Sequence, residues 1–406
     1  MSQTLMVVGC GFPQLGLLRF ARTEGLTVVG VDASESAVGV ALCDRFVHCS
    51  TTDVEGIVAG AKKEAVDGIV TCGSEHALRG AAAAAPAIGL PFYGDLETVS
   101  RCQAKDLMRA AFDAAEVPSP AHRRVKTVAE ARAFAESQGL PVVVKPPRGW
   151  GQRGVSICEE MDELEAAVNN AVSAARQAGA DDCLLEDFIV GREFSVDAYT
   201  HAGETEVLAV TERIITGYPD PPGITFAEVH PSELETDALQ RVVDVAKQGL
   251  SALGITRGPS YTQMRSGPAG AFIVETAYRL GGGLDPDVAF LASGVSLYRK
   301  ICGVALDRAD WEAAGVEGPA HGGATGRFII GTPGAVVAVE GLERARGMAG
   351  IAGAEVYVRP GDTVSPLVDG SKRAGHVLAY GGSRAEAEAR ARAAMDVITI
   401  VTEGSS

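Results

Sequence analysis

The feature that most constrains the fold is a pair of strand-like runs near residue 270. The runs GPSYTQMRS (258–266) and AFIVETA (271–277) flank the turn GPAG. Two such runs joined by a short Gly- and Pro-containing turn are typical of an antiparallel hairpin. Gln263 on the first strand and Glu275 on the second can face the same way, and Arg279 follows four residues later, before three glycines. The hairpin therefore collects an amide, a carboxylate and a guanidinium.

These residue types suit magnesium and phosphate chemistry. Two oxygen ligands on adjacent strands can hold Mg²⁺ (or Mn²⁺) against nucleotide phosphates, and a nearby arginine can fork onto a carboxylate or a transferring phosphoryl group. Gln263 and Glu275 are therefore the predicted metal ligands. Arg279 is a predicted catalytic and substrate-contacting residue. Polar residues on a solvated hairpin are the alternative interpretation.

Two upstream segments carry further polar groups. Lys145 ends the apolar run PVVVKP and precedes the glycine-rich residues 148–154, RGWGQRG. A lysine beside such a turn can hold phosphate oxygens, because backbone amides approach closely and the ammonium adds a point charge. The run CLLEDFIVGREFSVDAY contains Glu186 and Glu193, whose spacing suits a hinge that holds a nucleoside. One carboxylate would accept from an exocyclic amine and the other from ribose hydroxyls. A structural turn and a plain hairpin are the alternatives for these segments.

The order of elements predicts three domains. Residues 1–100 alternate β-branched runs with helical stretches, which indicates a βαβ series and a parallel sheet. In residues 101–305 hairpins replace crossovers and indicate an α+β unit with a glycine-rich lid near 146–155. The strand-rich residues 306–406 form a smaller α+β subdomain. The predicted fold class is thus α/β and α+β, with more than one core for 406 residues.

The N-terminal glycines allow a different hypothesis. Gly9, Gly11 and Gly16, followed by Asp32 at the end of the second run, are similar to a dinucleotide fingerprint. The spacing is GxGxxxxG instead of GxGxxG, which favours a tight strand-to-helix turn. A nicotinamide-dependent dehydrogenase remains as an alternative that depends on these residues alone.

Composition narrows the partners and the compartment. A formal charge of −16 argues against nucleic acid as the main partner, because phosphate backbones require basic faces. The apolar start, LMVVGCGFPQLGLL, is broken by glycines and is too short to span a bilayer. Eight cysteines without a CxxC pair, and the lack of a secretory signal, predict reduced thiols in a cytoplasmic protein. Small molecules are therefore the expected partners.

The chain resembles the ATP-grasp superfamily over roughly residues 1–400. The resemblance is carried by three segments in this order: KP with the glycine-rich residues after it, EDFIVGREFSV, and GPSYTQMRS…FIVETAYRLGGG. The resemblance implies an ATP-grasp fold with an N-terminal Rossmann-like pre-ATP-grasp domain and a small C-terminal subdomain. It implies ATP as co-substrate and Mg²⁺ as cofactor. It also makes Lys145 and Glu275 catalytic together with Arg279. The implied ATP-binding residues are Lys105, Lys145, Gly151, Gly154, Glu186, Ile189 and Glu193. Among them, the resemblance makes Glu193 the contact to the ribose hydroxyls.

Two departures from the superfamily pattern narrow the subfamily. The first metal position is usually glutamate and is Gln263 here, and the usual E-x-N-x-R reads E-T-A-Y-R, so Ala277 supplies no third ligand. The E-x-A-x-R form resembles bacterial L-amino acid ligases, which make dipeptides. This resemblance implies a carboxylate–amine ligase that joins two small molecules, amino acids being the expected class. The implied intermediate is an acyl phosphate, and the implied products include ADP and phosphate.

Some assignments stay open at this level. Glu75, His230 and Arg373 are further candidates for substrate contact, with His230 expected in a loop that faces the nucleotide. Another ATP-grasp activity, either a bicarbonate-using carboxylase or a purine-pathway ligase, would share every ATP residue. A non-catalytic nucleotide-binding protein is less favoured, because the lysines, Glu275 and Arg279 are all present. A homodimer is compatible with the sequence.

Overall fold

The N-terminal region forms a parallel sheet, as the alternating runs predict. The computed structural model describes residues 2–149, 153–176, 179–215 and 223–403. The sheet has the order β3-β2-β1-β4, and its strands are β1 (Thr4–Val8), β2 (Thr27–Asp32), β3 (Arg45–His48) and β4 (Gly68–Val70). The helices are α1 (Leu15–Thr23), α2 (Val54–Lys63), α3 (Glu75–Ala87) and α4 (Leu96–Gln103). Alternate side chains of β1 are buried in different cores, as expected for a sheet covered on both faces.

A small antiparallel sheet follows and carries two predicted nucleotide contacts. Its order is β5-β8-β6-β7. The elements are α5 (Lys105–Ala114), β5 (His122–Val125), α6 (Val128–Gln138), β6 (Val142–Lys145), β7 (Ser156–Cys158), α7 (Leu164–Arg176) and β8 (Cys183–Asp187). Helices α6 and α7 share a core with this sheet. Strand pairing sets β6 beside β8, so Lys145 and Glu186 lie on neighbouring strands.

The larger sheet contains the predicted hairpin and has the order β13-β12-β9-β10-β11-β14-β18-β16. Its strands are β9 (Arg192–His201), β10 (Glu204–Ile215), β11 (Thr225–His230), β12 (Gly258–Gly267), β13 (Gly270–Ala277), β14 (Gly323–Ile329), β16 (Ile351–Val356) and β18 (Gly375–Gly381). Strands β12 and β13 confirm the hairpin, with Gln263 directly opposite Glu275. Helices associated with this region are α8 (Thr236–Ala252), α9 (Asp285–Ser293), α10 (Leu297–Ala305) and α11 (Ala309–Glu312).

The C-terminal residues contribute to two sheets. Strands β14, β16 and β18 continue the larger sheet, because β11 pairs with β14 across the predicted boundary at residue 306. A separate sheet has the order β17-β15-β19 and consists of β15 (Gly334–Glu340), β17 (Thr363–Val364) and β19 (Thr399–Thr402). Helices α12 (Leu342–Arg346) and α13 (Arg384–Val397) complete this part. Hydrogen-bonded strands therefore connect the residues on the two sides of the predicted boundary.

Among the described helices, none alone combines the length and apolar character needed to cross a bilayer. Helices α9 and α10 reach that composition only as a pair, across a bend of 109°.

Candidate active site

A cavity of about 620 Å³ lies between the small sheet, the larger sheet and the segment 370–373. Its size is within the range of sites that enclose small organic ligands. It brings together most of the residues predicted from the sequence. These are Lys105, Lys145, Glu186, Ile189, Glu193, Gln263, Glu275, Arg279 and Arg373.

One charged pair connects helix α5 to the hairpin. Lys105, the first residue of α5, places Nζ 3.1 Å from Oε1 of Glu275 and donates to the carbonyl oxygen of Gly149 at 2.8 Å. Burial raises the pKa of Glu275, but the charges of Lys105 and Lys145 outweigh burial, so its pKa is lowered. Glu275 is therefore ionised at neutral pH and sits beside an ammonium group at the glycine-rich segment.

Gln263 and Glu275 fit a magnesium ion that is shared with nucleotide phosphates. They are opposite each other on β12 and β13 and both line the cavity. Amide and carboxylate oxygens are hard ligands, and Mg²⁺ is commonly held by one or two protein oxygens plus substrate phosphates and water. Ala277 adds no ligand, and the described part of the chain contains no group of three His, Cys, Asp or Glu suited to a metal. The donor set fits an ion that arrives with a nucleotide.

Lys145 is held in a buried ionic network that the sequence did not reveal in full. Its Nζ lies 2.6 Å from Oε2 of Glu186, whose Oε1 is 2.8 Å from Nε of Arg109. Burial raises the pKa of Glu186, but Arg109 and Lys145 outweigh it and lower the pKa to about 2. Burial lowers the pKa of Lys145, and Glu186 opposes that shift. Both carboxylate oxygens of Glu186 thus face cations, and its predicted contact with an exocyclic amine stays a prediction.

The predicted nucleoside hinge is fastened to β12 by Arg265. The Arg265 guanidinium pairs with Glu193 and donates Nη1 to the carbonyl oxygen of Ile189 at 2.8 Å. It also lies 4.4 Å from the ring centroid of Phe188. These contacts fix the position of the segment that follows β8. Ile189 and Glu193 were predicted from the sequence, but Arg265 was not, because its partners are more than seventy residues away in the chain.

Arg279 is paired with Glu75, a residue of the N-terminal region. Nε of Arg279 lies 2.9 Å from Oε1 of Glu75, although the geometry is that of an ion pair and not of an aligned hydrogen bond. Nη1 donates to the carbonyl oxygen of Leu280 at 2.9 Å. Burial lowers the pKa of Arg279, but Glu75 and the other negative groups around it together outweigh burial, so the pKa is raised. Glu75 thereby joins helix α3 to the end of the hairpin.

Glu75→Gln is expected to lower kcat about tenfold while leaving the KM for ATP nearly unchanged. The variant removes the charge that holds Arg279, a contact of the size of one charge-assisted hydrogen bond in a shielded site. Steady-state kinetics would measure both constants, with the exposed residue Glu55 changed to Gln as the matched control on helix α2. If Glu75→Gln lowers kcat by the same factor in a protein that already carries Arg279→Gln, Glu75 does not act through Arg279.

His230 and Gly154 do not lie where the sequence predicted them to lie. His230 ends strand β11, not a loop, and lines a separate cavity with residues 205–210. The expectation that it faces the nucleotide is corrected, because β11 carries it beyond Thr225 and Glu228, which do line the main cavity. Gly154 has φ +73° and packs against Ala174 instead of lining the cavity. Gly151 lies outside the described residues.

The cavity wall also holds charged residues that sequence reasoning missed. Arg213 on β10 faces Glu228 directly across the β10–β11 pair. Asp285, the first residue of α9, lies in the same wall. Burial raises the pKa of Glu228 and of Asp285. Asp197 on β9 is buried behind them, and burial raises its pKa well above its usual range. Nothing in the sequence pattern marks these residues, because they meet only through strand pairing.

Comparison with known proteins identifies two regions of the chain. Residues 138–287 match a family described as "ATP-grasp domain", and residues 327–403 match "L-amino acid ligase C-terminal domain 2". The Alanine–anticapsin ligase of Bacillus subtilis is 29% identical over 249 residues, which are 56% of this chain and 52% of that protein. A Phosphoribosylamine–glycine ligase of Listeria innocua is 26% identical over 211 residues, 51% and 50% of the two chains. The chain thus spans about half the length of these curated relatives.

A solved structure extends the likeness to the whole chain. The L-amino acid ligase from Bacillus licheniformis has a TM-score of 0.80 and 21% identity, and 99% of each chain is covered. At that identity the match demonstrates the fold, including the N-terminal parallel sheet and residues 288–326, which the two family matches do not reach. The fold, the two matched regions and the residues gathered around the cavity agree: the chain has the ATP-grasp fold, and its residues 138–287 are similar to the ATP-grasp domain family.

Proposed function

We propose that this protein is an ATP- and Mg²⁺-dependent carboxylate–amine ligase that joins two amino acids through an acyl phosphate. The observation that carries the proposal is the Lys105–Glu275 pair at 3.1 Å, with Gln263 opposite Glu275 and Arg279 in the same cavity. The similarity to an L-amino acid ligase and to an alanine–anticapsin ligase supports amino acids as the substrate class. Small-molecule partners, a cytoplasmic location and a homodimer remain predictions.

The chemistry asks the protein for alignment and positive charge. A carboxylate oxygen of the first substrate attacks the γ-phosphorus of ATP, and ADP leaves. The amine nitrogen of the second substrate then attacks the acyl carbon, phosphate leaves, and the nitrogen gives up a proton. Lys105 and Lys145 would hold the phosphates and Arg279 the reacting carboxylate. Mg²⁺ held by Gln263 and Glu275 would neutralise phosphate charge. Phosphoryl transfer needs no protein nucleophile.

A second candidate function has specific support. An enzyme of different activity, the phosphoribosylamine–glycine ligase of Listeria innocua, matches about half of this chain. A purine-pathway ligase or a bicarbonate-using carboxylase would use the same lysines and hairpin. Phosphate release triggered by a sugar phosphate amine or by bicarbonate, and by no amino acid pair, would favour this candidate. A non-catalytic nucleotide-binding protein would release phosphate with no mixture.

ADP and orthophosphate are expected to form in equal amounts with the amide product. The test is a phosphate-release screen of the twenty amino acids in pairs with Mg-ATP, followed by identification of the product by mass. Reactions without the second amino acid serve as controls, because amide formation then stops. AMP and pyrophosphate as stoichiometric products would contradict the acyl-phosphate route.

A further inference from the structure

Two arginines from different parts of the chain converge on one threonine in the cavity wall. Nε of Arg213, on β10, donates to Oγ1 of Thr225 at 3.2 Å. Nη2 of Arg373, from the segment before β18, donates to the carbonyl oxygen of Thr225 at 2.6 Å. The Arg373 guanidinium also lies 3.7 Å from the ring centroid of Phe328. Both guanidinium groups are therefore fixed in place, and both line the cavity.

Each arginine keeps a buried nitrogen without a hydrogen-bond partner among the described residues, Nη1 of Arg213 and Nε of Arg373. Burial lowers the pKa of Arg373, and the like charge of Arg213 lowers it further, so the two cations are neighbours. Glu228 is close to both, but burial raises its pKa well above the usual range and favours its neutral form. Two half-buried guanidinium groups that line the cavity, each with an unpartnered buried nitrogen among the described residues, form a site for an anion.

We propose that Arg213 and Arg373 bind the α-carboxylate of the amino acid that donates the amine. This proposal rests on the proposed ligase function and assigns its second substrate: an amino acid with a free α-carboxylate, not a simple amine or an amino acid amide. Arg guanidinium groups suit the assignment, because their planar donors match a carboxylate in two-point contact. Thr225 is the positioning residue for both arginines.

The order of charges along the cavity supports this assignment. The charges of Lys105, Lys145 and Arg279 all lower the pKa of Glu275. Arg279 is therefore near the residues that are predicted to contact the nucleotide. Arg279 also shares the neighbour Asp285 with Arg213 and Arg373. The lysines and the arginine pair thus both have a charged neighbour in common with Arg279. A reacting carboxylate at Arg279 would have the nucleotide phosphates on one side and the amine donor on the other.

A nucleotide phosphate is the competing occupant. Glu193, a predicted ribose contact, also acts on Arg213. The experiment must therefore distinguish the binding of an amino acid carboxylate from the binding of a phosphate.

The test compares amine donors with and without the carboxylate. Glycine, alanine, leucine, methionine and phenylalanine are each paired with their α-carboxamides, using the carboxylate donor found in the phosphate-release screen. Wild-type kcat/KM is expected to favour the acids at least 30-fold. Arg373→Gln and Thr225→Val are expected to lower kcat/KM for the acids about 30-fold and for the carboxamides less than threefold. Thr225→Ser retains the acceptor oxygen and is expected to behave like the wild type.

Controls and a binding measurement complete the test. Arg359→Gln changes net charge equally at an exposed site of the C-terminal region and is expected to have no effect. Calorimetric titration of the ten compounds in the presence of Mg-ADP reports binding without turnover, and thermal unfolding verifies that each variant is folded. If Arg373→Gln no longer binds the amino acids that the wild type binds, the proposal is supported even when no pair yields an amide. The absence of any amide would reject the ligase function alone.

Three results would overturn the subsite. Equal use of acids and carboxamides by the wild type would show that no carboxylate is recognised. Equal losses for both classes in Arg373→Gln would show a general structural role. A raised KM for ATP or weakened Mg-ADP binding, with unchanged acid binding, would assign the pair to the nucleotide.

Discussion

Glu275→Gln is expected to lower amide formation at least a hundredfold while the protein stays folded. Glu275 is the one carboxylate that the hairpin offers for metal binding, since its partner Gln263 is neutral and Ala277 has no ligand atom. The substitution keeps the shape and removes the charge, which leaves Mg²⁺ held mainly by nucleotide and water. Metal-centred charge stabilisation supplies several kcal/mol to a transfer step, and about 2.7 kcal/mol corresponds to a hundredfold change in rate.

Magnesium titrations of phosphate release measure this effect. Added Mg²⁺ is expected to recover little activity in Glu275→Gln, because the geometry of the ion is lost along with its occupancy. Gln263→Glu is the matched variant on the opposite strand: it adds an anionic oxygen and should bind Mg²⁺ at least as tightly, with slower release of Mg-ADP. Parental activity and magnesium dependence in Glu275→Gln would show that the hairpin is not the active site.

The parts of this site that the sequence predicted correctly are local in the chain. Two strands joined by a four-residue turn leave few registers, and the register that starts at the turn pairs Met264 with Ile273. An irregularity between Met264 and Gln263 then brings Gln263 opposite Glu275, and this last step could not be predicted from the period of a strand. The parallel N-terminal sheet was predictable for a related reason, because crossover connections in such a series have a restricted topology. In both cases a short stretch of sequence contains all the elements that must meet.

The residues that were missed depend on distant partners. Arg109 meets β13 and Glu186, and Thr225 meets Arg213 and the segment before β18, only after the larger sheet has formed. Helix α9 was also missed, because it is buried on nearly all sides and therefore lacks the polar face that produces helical periodicity. The continuation of the larger sheet into the C-terminal strands is a non-local pairing of the same kind.

Glu186→Gln is expected to have the largest effect on stability. Glu186, Arg109 and Lys145 are 2%, 1% and 5% exposed, and the carboxylate contacts both cations. A neutral amide of the same shape would leave two buried cations without an anion. Removing one partner of a buried ionic group costs about 3–5 kcal/mol, because an uncompensated charge remains in a region of low polarity. Urea denaturation at pH 7 measures the free energy of unfolding.

The pH dependence tests the same carboxylate. The folded pKa of Glu186, about 2, is below its ordinary value of 4.5. Its contribution to stability is therefore fully present above pH 4.5 and is lost as the pH falls towards 2. The difference between wild type and Glu186→Gln should shrink across that window. Asp181→Asn, in an exposed ion pair with Lys126, is the control and should change stability only slightly at any pH. A constant difference between pH 7 and pH 3 would contradict the network.

Lys145→Met separates the structural role of this network from its role in the reaction. The methionine removes one cation and leaves Arg109 paired with Glu186 at 2.8 Å, so the buried charges then balance one to one. Its loss of stability should accordingly be smaller than that of Glu186→Gln. ATP binding and turnover should nevertheless fall by about 2–4 kcal/mol, since Lys145 supplies a charge-assisted contact in a shielded cavity. Nucleotide titration and denaturation of both variants give the comparison. If Lys145→Met bound ATP like the wild type, Lys145 would be a structural partner of Glu186 and the positive charge for the phosphates would have to come from Lys105 and Arg279.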